Sequence, residues 1–467
     1  MSSPKRLNAL DRSFLAWEGR EVMMHVGALL QFSPPAQGGS DLFRQLREEL
    51  SRNAKVERPW NQKLLHPDLL ATPLQAWIDD PAFDLEYHVR RSALASPGDQ
   101  RELGILVSRL HGTPLDFHRP PWEAHFIEGL EDGRCAVYFK VHHALVDGYT
   151  GMRMLIRSFT TDASDRDTPM FYACPPISRG PQREDAPPTF DAILGAARDQ
   201  VGAAKDIGRA IMNVARALRH EDRELVAPMQ APRSVLNQRI TRSRRFATQH
   251  IDLERVKRVA TAAHGTVNDV VLAICGSALR RFLVDQNALP DRALVAMVPV
   301  NIRPKDDPGG SGNAVGAILA SLGTDVADAK ERLGAIIATT RRAKEQLQGM
   351  SKNAIMQYSG LLIAPLMLAF IPGAAGRVRP AFNVVVSNVP GPEMPLYFRG
   401  WKLEEMAPLS IPFHGYGLNI TVQSYAGSLN FGFTGCRDTI PHLQRLAVYG
   451  GEVMDELEAA TSNTPPA

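Results

Sequence analysis

Residues 141–148 read Val-His-His-Ala-Leu-Val-Asp-Gly, between an apolar strand pattern at 134–141 and a helix pattern at 148–159. Side chains at the end of a strand can be held rigidly and still reach the surface of a domain. A neutral imidazole has a reference pKa near ~6.5, so His142 or His143 could take a proton from a hydroxyl group at neutral pH. Asp147 and the conformationally free Gly148 would support this loop. The segment therefore predicts a general base.

Other interpretations of the paired histidines stay open on spacing alone. A metal site would use both histidines and Asp147, but the spacing differs from the helical HExxH pattern and no further cluster completes it. A purely structural histidine pair is the second alternative. A serine hydrolase would carry a GxSxG turn, and the chain contains none.

Further motifs lie on both sides of this segment. In chain order they are Leu10-Asp11, Met24-His25-Val26-Gly27, Pro114-Leu115-Asp116, Arg119-Pro120-Pro121-Trp122-Glu123, Val267-Asn268-Asp269-Val270, Pro299-Val300-Asn301-Ile302-Arg303, Gly312-Asn313 and Ser387-Asn388-Val389-Pro390-Gly391-Pro392. HHxxxDG is shared by the coenzyme A dependent acyltransferase superfamily, and the DFGWG-type element of its plant branch is absent. With the other motifs, the chain resembles the bacterial wax ester synthase and diacylglycerol acyltransferase family from end to end.

The resemblance implies a fold and a reaction. The fold would be α/β and two-lobed like chloramphenicol acetyltransferase, with a mixed sheet and helices in each lobe and a tunnel between them. The reaction would move a long fatty acyl group from acyl coenzyme A to a fatty alcohol or to diacylglycerol, giving wax ester or triacylglycerol. His143 would be the base in a ternary complex, with His142 positioning it. Asp147 would hold the loop through an arginine, as in superfamily relatives.

Other positions in the motifs invite roles of their own. Ser387 and Asn388 end a predicted strand before a proline turn and are candidates to stabilise the oxyanion or position substrate; a turn in which Asn388 caps its own backbone is the alternative. Asn268 and Asp269 open a helix and suit a structural cap, and Arg303 is a further structural candidate. Pro121 stands where the family usually has leucine, which predicts a local effect on packing.

Composition limits the partners and the compartment. A chain of 467 residues exceeds the ~100 to 200 of one domain, so two or three are expected. The net charge of +3 is too small for a nucleic-acid footprint. The four cysteines form no CxxC pair, which favours reduced thiols over zinc or disulfides. Residues 1–11 carry charges and no apolar run, so we expect no secretory signal there. We expect acyl coenzyme A as substrate, no metal and no bound cofactor.

Apolar periodicity predicts alternating strands and helices in both halves. Strands are predicted at 25–32, 83–89, 122–130, 134–141, 293–302, 314–322 and 382–389, with a hairpin at 416–435. Helices are predicted at 41–50, 99–110, 148–159, 267–278, 328–347 and 439–459. A Pro-rich and Asp-rich stretch precedes an Ala-rich helix pattern at 190–219. These patterns predict an N-terminal lobe at 1–175, a linker and crossover helix at 176–235, and a C-terminal lobe at 236–467.

Residues 360–376 are uncharged, but two prolines interrupt them and they are too short for a comfortable membrane span. Nearby Lys352, Arg377 and Arg379 would attract anionic lipid. The chain is therefore predicted to be cytoplasmic and to associate peripherally with the inner membrane or lipid inclusions. A condensation-type enzyme using carrier-bound acyl groups and a non-catalytic lipid-inclusion binding protein are the alternatives.

Overall fold

The structure is a computed structural model. It describes residues 4–35, 42–50, 55–175, 226, 230–301, 315–348, 350, 352–363 and 379–462. The predicted crossover helix at 190–219, the motif Gly312-Asn313 and Arg303 lie outside these residues.

The elements follow each other in the order that the sequence predicts, with additions. The strands are β1 (Lys5–Arg6), β2 (His25–Ser33), β3 (Gln62–Leu64), β4 (Ala76–Asp79), β5 (Val89–Ala93), β6 (Trp122–Glu128), β7 (Cys135–His142), β8 (Arg244–Asp252), β9 (Val295–Asn301), β10 (Val315–Ser321), β11 (Val384–Val389), β12 (Tyr397–Phe398), β13 (Trp401–Leu409), β14 (Leu418–Tyr425) and β15 (Ser428–Cys436). The helices are α1 (Ala9–Trp17), α2 (Leu42–Leu50), α3 (Leu85–His88), α4 (Gln100–His111), α5 (Gly148–Ile156), α6 (Leu253–Ala262), α7 (Val267–Asp285), α8 (Ala329–Leu347), α9 (Lys352–Ile363) and α10 (Gln444–Ser462).

Local turn chemistry accounts for the hairpin predicted at 416–435. Ala426 and Gly427 have φ values of 43° and 84°, and the strands on either side pair in antiparallel register. Two consecutive residues with positive φ match the right-handed twist of a hairpin. This prediction is confirmed.

The strand predicted at 83–89 is wrong. Residues 85–88 form the short helix α3, because the side chain of Asp84 accepts a hydrogen bond from the backbone N–H of Tyr87 and caps it. The extended segment begins only at Val89 and runs parallel to β6.

The first six-stranded sheet has the order β12-β13-β2-β7-β6-β5. Its pairs are antiparallel except β5 with β6. Strands β12 and β13 come from the second half of the chain, and Leu409 pairs with Gly27 near the start of β2. Local periodicity did not predict this crossover. The division at 175 and 236 stays a prediction, since 176–225 lie outside the described residues.

The second six-stranded sheet has the order β10-β9-β11-β14-β15-β8 and is also mixed, since β11 runs parallel to both β9 and β14. Helix α7 lies in its core with thirteen of its residues buried. A helix that is apolar around most of its circumference is a core helix. The two mixed sheets with their helices give the two-lobed α/β fold.

The lobes meet where β13 crosses β15. A Cβ atom on Gly432 would lie 1.8 Å from the carbonyl oxygen of Pro408, so only glycine allows this approach of the two backbones. Beside it, the hydroxyl of Ser108 in α4 accepts a hydrogen bond from the backbone N–H of Phe246 in β8 at 2.9 Å. A close approach of two backbones and a side-chain hydrogen bond therefore join the lobes here.

A third, three-stranded sheet has the order β1-β4-β3 and packs beside helix α1. No helix of the described residues is long and apolar enough to cross a membrane. Only residues 360–363 of the apolar segment at 360–376 are described, and they belong to α9.

Candidate active site at the junction of the lobes

The two histidines leave the end of β7 on a backbone held at several points. The N–H of His142 donates to the carbonyl of Pro121 at 2.9 Å, and the N–H of His143 donates to the carbonyl of Met24 at 2.8 Å. The chain then turns, and the N–H of Leu145 donates to the carbonyl of His142 at 3.0 Å. The unusual residue Pro121 thus supplies its carbonyl to the histidine segment itself.

The ring of His142 is buried and faces inward. Its Nδ1 accepts a hydrogen bond from the N–H of Ala144 at 3.1 Å, which leaves the ring proton on Nε2. That Nε2 lies 3.4 Å from a carboxylate oxygen of Glu18, whose side chain is 7% exposed. The same oxygen accepts a hydrogen bond from the N–H of Met24 at 2.5 Å. Glu18 therefore touches both the neighbour of His143 in sequence and the residue that anchors its backbone.

The ring of His143 is partly exposed and stacks on Phe14, with ring centroids 4.1 Å apart and planes inclined by 24°. Its Nδ1 is enclosed and has no hydrogen-bond partner among the described residues. Burial lowers the pKa of His143 to about 4, although the negative charge of Asp147 opposes that shift. The imidazole is consequently neutral at pH 7 and able to accept a proton.

Asp147 caps helix α5 and supports the loop locally. One carboxylate oxygen accepts from the N–H of Thr150 at 2.9 Å, and the other accepts from its hydroxyl at 2.8 Å. Within the described chain Asp147 bonds to Thr150 and not to an arginine or to the ring of His143. Gly148 is exposed as the first residue of that helix.

Phe14 places the His143 ring where the halves of the chain meet. On one side Phe14 packs with Leu7, Leu64 and Ala144 from the first half. On the other it packs with a cluster that includes Ile240 and Cys436 from the second half. The stacking partner of His143 is thus shared by both lobes.

Ser387 and Asn388 lie near the end of β11 in the second sheet, opposite Thr421 and Val422 of β14. Both side chains are half-buried, and neither makes a side-chain hydrogen bond within the described residues, to His143 or to its own backbone. The structure does not join them directly to the histidines, and their catalytic role stays a prediction.

Asp269 has a structural role. Its carboxylate accepts from the N–H of Thr266 at 2.8 Å, while the Thr266 hydroxyl caps the N–H of Asp269, so the two form a capping box at the start of α7. Its other oxygen accepts from the hydroxyl of Thr340 at 2.7 Å, which ties α7 to α8. Asn268 precedes it in the first turn of the same helix.

A buried charge network lies beneath the site in the first sheet. Lys140, fully buried in β7, lies 3.3 Å from a carboxylate oxygen of Glu123 in β6, and Arg90 lies 3.2 Å from the other oxygen. Burial raises the pKa of Glu123, but the hydrogen bond from His125 and the charges of Lys140 and Arg90 outweigh it and hold the pKa at about 2. The Trp-Glu motif thus neutralises a buried lysine two residues before His142.

Among the described residues, no group of three or more His, Cys, Asp or Glu side chains could hold a metal ion. The expectation of no metal and no bound cofactor stays a prediction.

Comparison with known proteins agrees with this geometry. The profile described as "Wax ester synthase/diacylglycerol acyltransferase catalytic domain" matches residues 7–271, and "WS/DGAT C-terminal domain" matches residues 311–458. The chain belongs to the wax ester synthase/diacylglycerol acyltransferase family. It is 50% identical to a putative diacylglycerol O-acyltransferase of Mycobacterium tuberculosis (strain ATCC 25618 / H37Rv), over 98% of this chain and 97% of the relative.

Two solved structures share the fold of this chain. The wax ester synthase/diacylglycerol acyltransferase from Marinobacter aquaeolei VT8 matches with a TM-score of 0.77 and 38% identity, covering 98% of this chain and 100% of that chain. The first condensation domain of the calcium-dependent antibiotic synthetase matches with a TM-score of 0.58 at 17% identity, covering 99% and 98%. The second match shows the shared two-lobed fold alone.

Sequence reasoning missed three residues of this family member's site: Phe14, Glu18 and the backbone of Met24. All lie in the opening segment that carried part of the resemblance. An apolar stripe around Phe14 and two glutamates before Met24, Glu18 and Glu21, were the available signals. Neither signal identifies the histidine that its side chain meets, because Phe14 and Glu18 reach His143 and His142 only when the opening segment packs against the end of β7.

Proposed function

We propose that this chain transfers a long-chain fatty acyl group from acyl coenzyme A to the hydroxyl of a fatty alcohol, of diacylglycerol, or of both. His143 is the general base in this proposal, and no acyl-enzyme forms. The family match supports the reaction class, and the relatives' names support both kinds of acceptor.

One observation carries the assignment of the base. His143 presents a neutral and partly exposed imidazole at the junction of the lobes, whereas the ring of His142 is buried with its Nδ1 already engaged by Ala144. A base must reach the proton that it abstracts and must be unprotonated at the working pH. Only the second histidine meets both requirements.

In the proposed step, both substrates lie together beside His143. The imidazole takes the proton from the acceptor's hydroxyl group, and the hydroxyl oxygen forms a bond to the thioester carbonyl carbon. The carbonyl electron pair moves to oxygen and then returns as the carbon–sulfur bond breaks. The coenzyme A thiolate leaves with the proton that His143 had taken, so the base is regenerated.

The oxyanion in this step needs donors that are in place beforehand. Ser387 and Asn388 remain our candidates, because their half-buried side chains have no hydrogen-bond partner in the described structure. A polar group left unpaired in the free enzyme is available to a substrate oxygen.

We also propose that the enzyme works at the surface of the inner membrane or of a lipid inclusion, from the cytoplasmic side. The acceptors are insoluble in water and would be met in a lipid layer, and Lys352 and Arg379 carry positive charge on either side of the apolar segment.

Purified protein offered radiolabelled palmitoyl coenzyme A with hexadecanol, with dioleoylglycerol or with neither tests the proposal. Labelled ester is expected with at least one acceptor, together with stoichiometric free thiol. Absence of ester with both acceptors from folded protein would overturn the proposed reaction. Release of thiol at the same rate without acceptor would identify a hydrolase instead.

A further inference from the structure

Residues 65–75, between β3 and β4, expose an unusual number of large apolar side chains. Leu65, Leu69 and Leu74 are 38%, 65% and 64% exposed. Together they provide three of the seven exposed large hydrophobic side chains in the described residues. We call residues 65–75 the leucine loop. An apolar patch on one short loop is a feature of interaction sites.

The loop is held in a fixed shape from within. Gln75 is 1% exposed, and its side-chain amide donates to the carbonyl of His66 at 2.9 Å while its carbonyl oxygen accepts from the N–H of His66 at 3.0 Å. The N–H of Leu69 donates to the carbonyl of His66, and the N–H of Thr72 donates to the carbonyl of Leu69. The buried side chain of Gln75 therefore fixes the backbone of the loop in a shape that leaves the three leucines exposed.

The inner side of the loop reaches the active site. Leu70 packs in the cluster that contains Phe14, Ala144 and Leu145. Phe14 is the ring that stacks on His143, and Ala144 follows His143 in the chain. The loop and the ring that stacks on His143 therefore pack against the same apolar cluster.

The elements beside the loop carry positive charge. Arg12 of α1 donates to the carbonyl of Pro73 at 3.1 Å, which fixes a guanidinium at the loop. Lys5 and Arg6 are exposed on β1, which pairs with β4 where the loop ends. The loop's own carboxylate, Asp68, lies 3.3 Å from His118. Exposed leucines bordered by cations are complementary to a lipid layer with anionic headgroups.

We propose that the leucine loop docks the enzyme on an anionic lipid surface, with Leu69 and Leu74 inserted among the acyl chains and Arg6 and Arg12 near the headgroups. This inference rests on the proposed function, which requires a lipid-borne acceptor beside His143. Docking through this loop would place the layer that holds the acceptor against the side of the molecule where Phe14 and His143 lie.

Binding to vesicles tests the proposal without turnover. Full-length protein is sedimented with vesicles of equal amounts of phosphatidylcholine and phosphatidylglycerol, and Leu69→Glu/Leu74→Glu is compared with wild type. We expect the double variant to lose about a hundredfold in vesicle affinity, since burying one leucine is worth roughly tenfold. The matched control is Val284→Glu/Val448→Glu, which alters two exposed apolar residues on α7 and α10 and should bind as wild type does.

Activity separates this proposal from the reaction itself. With a short-chain alcohol and a short-chain acyl coenzyme A dissolved in buffer, both double variants should match wild type. Three results would overturn docking through the loop: wild type that does not bind these vesicles, unchanged binding by Leu69→Glu/Leu74→Glu, or an equal loss by the control. A change of oligomeric state in the loop variant with vesicle binding unchanged would assign the loop to self-association instead. If wild type forms no ester from these dissolved substrates, the proposed function is contradicted, and the vesicle-binding result still tests docking on its own.

Discussion

At the scale of single residues, two adjacent histidines have different surroundings. His142 is buried with one nitrogen engaged by Ala144 and the other facing Glu18, whereas His143 is partly exposed against Phe14. The sequence predicted the histidine pair because the motif is local, and the order of roles came from the family resemblance. It did not predict Glu18 or Phe14, because their contacts form only when separate elements pack.

The pH dependence of kcat/KM should reveal the environment of His143. Burial lowers the pKa of its imidazole to about 4 from 6.5, so the neutral base persists at and above pH 5 and is lost as the pH falls through about 4. We expect kcat/KM to fall on the acid side with a midpoint near pH 4. Circular dichroism in the same buffers checks that the protein stays folded. A midpoint near pH 6.5 would show that the imidazole is solvated in the free enzyme.

Glu18 should act as a positioning residue. Glu18→Gln weakens its hold on the His142 ring and on the N–H of Met24, so the His143 ring loses its fixed orientation. We expect kcat to fall roughly tenfold to a hundredfold with little change in KM for acyl coenzyme A. Glu21→Gln, which alters an exposed carboxylate paired with Arg239, is the matched control and should leave kcat unchanged. Equal kcat values for the two variants would remove Glu18 from the site.

At the scale of elements, strands and helices with their own caps and turns were predictable, and elements that need distant partners were not. The hairpin at Ala426-Gly427 and helix α7 follow from local sequence. Strand β13 extends the first sheet from far along the chain, and nothing in its own residues indicates β2 as its partner. The wrong strand at 83–89 reflects one Asp84 side chain that outweighs a weak strand pattern.

The buried charges in β6 and β7 give a prediction at this scale. Glu123→Ala would leave Lys140 buried without its carboxylate, and should lower the free energy of unfolding by about 3–5 kcal/mol in urea titrations. Glu128→Ala on the same strand breaks only the surface pair with Arg91 and should cost less than about 1 kcal/mol. Similar losses for both variants would mean that Lys140 finds another partner or becomes neutral.

At the scale of the whole molecule, two features join the lobes. Strands β12 and β13 cross over into the first sheet, and Phe14 packs against residues of both halves. The family motifs predicted two lobes, but they did not predict that β12 and β13 from the second half of the chain complete the first sheet. The information lies in pairings between distant strands, such as Leu409 with Gly27, and in the close approach at Gly432.

Gly432→Ala should force the lobes apart. Its Cβ would overlap the carbonyl oxygen of Pro408, and overpacking of this kind costs about 1–3 kcal/mol. The urea midpoint should fall accordingly. Gly334→Ala offers a control of opposite sign, since a Cβ there meets no atom within 4 Å and alanine favours its helix by roughly 0.5–1 kcal/mol. An unchanged midpoint for Gly432→Ala would show that the sheets can separate freely at this crossing.

The most direct test of the central claim is the rate of palmitoyl transfer by His143→Ala, with His250→Ala as control because that imidazole is exposed on β8. General-base catalysis contributes roughly 10²–10⁴-fold, so we expect kcat to fall by that factor in the first variant and to stay unchanged in the second, with both proteins folded as wild type. Transfer by His143→Ala at the wild-type rate would contradict the assignment of His143 as the base.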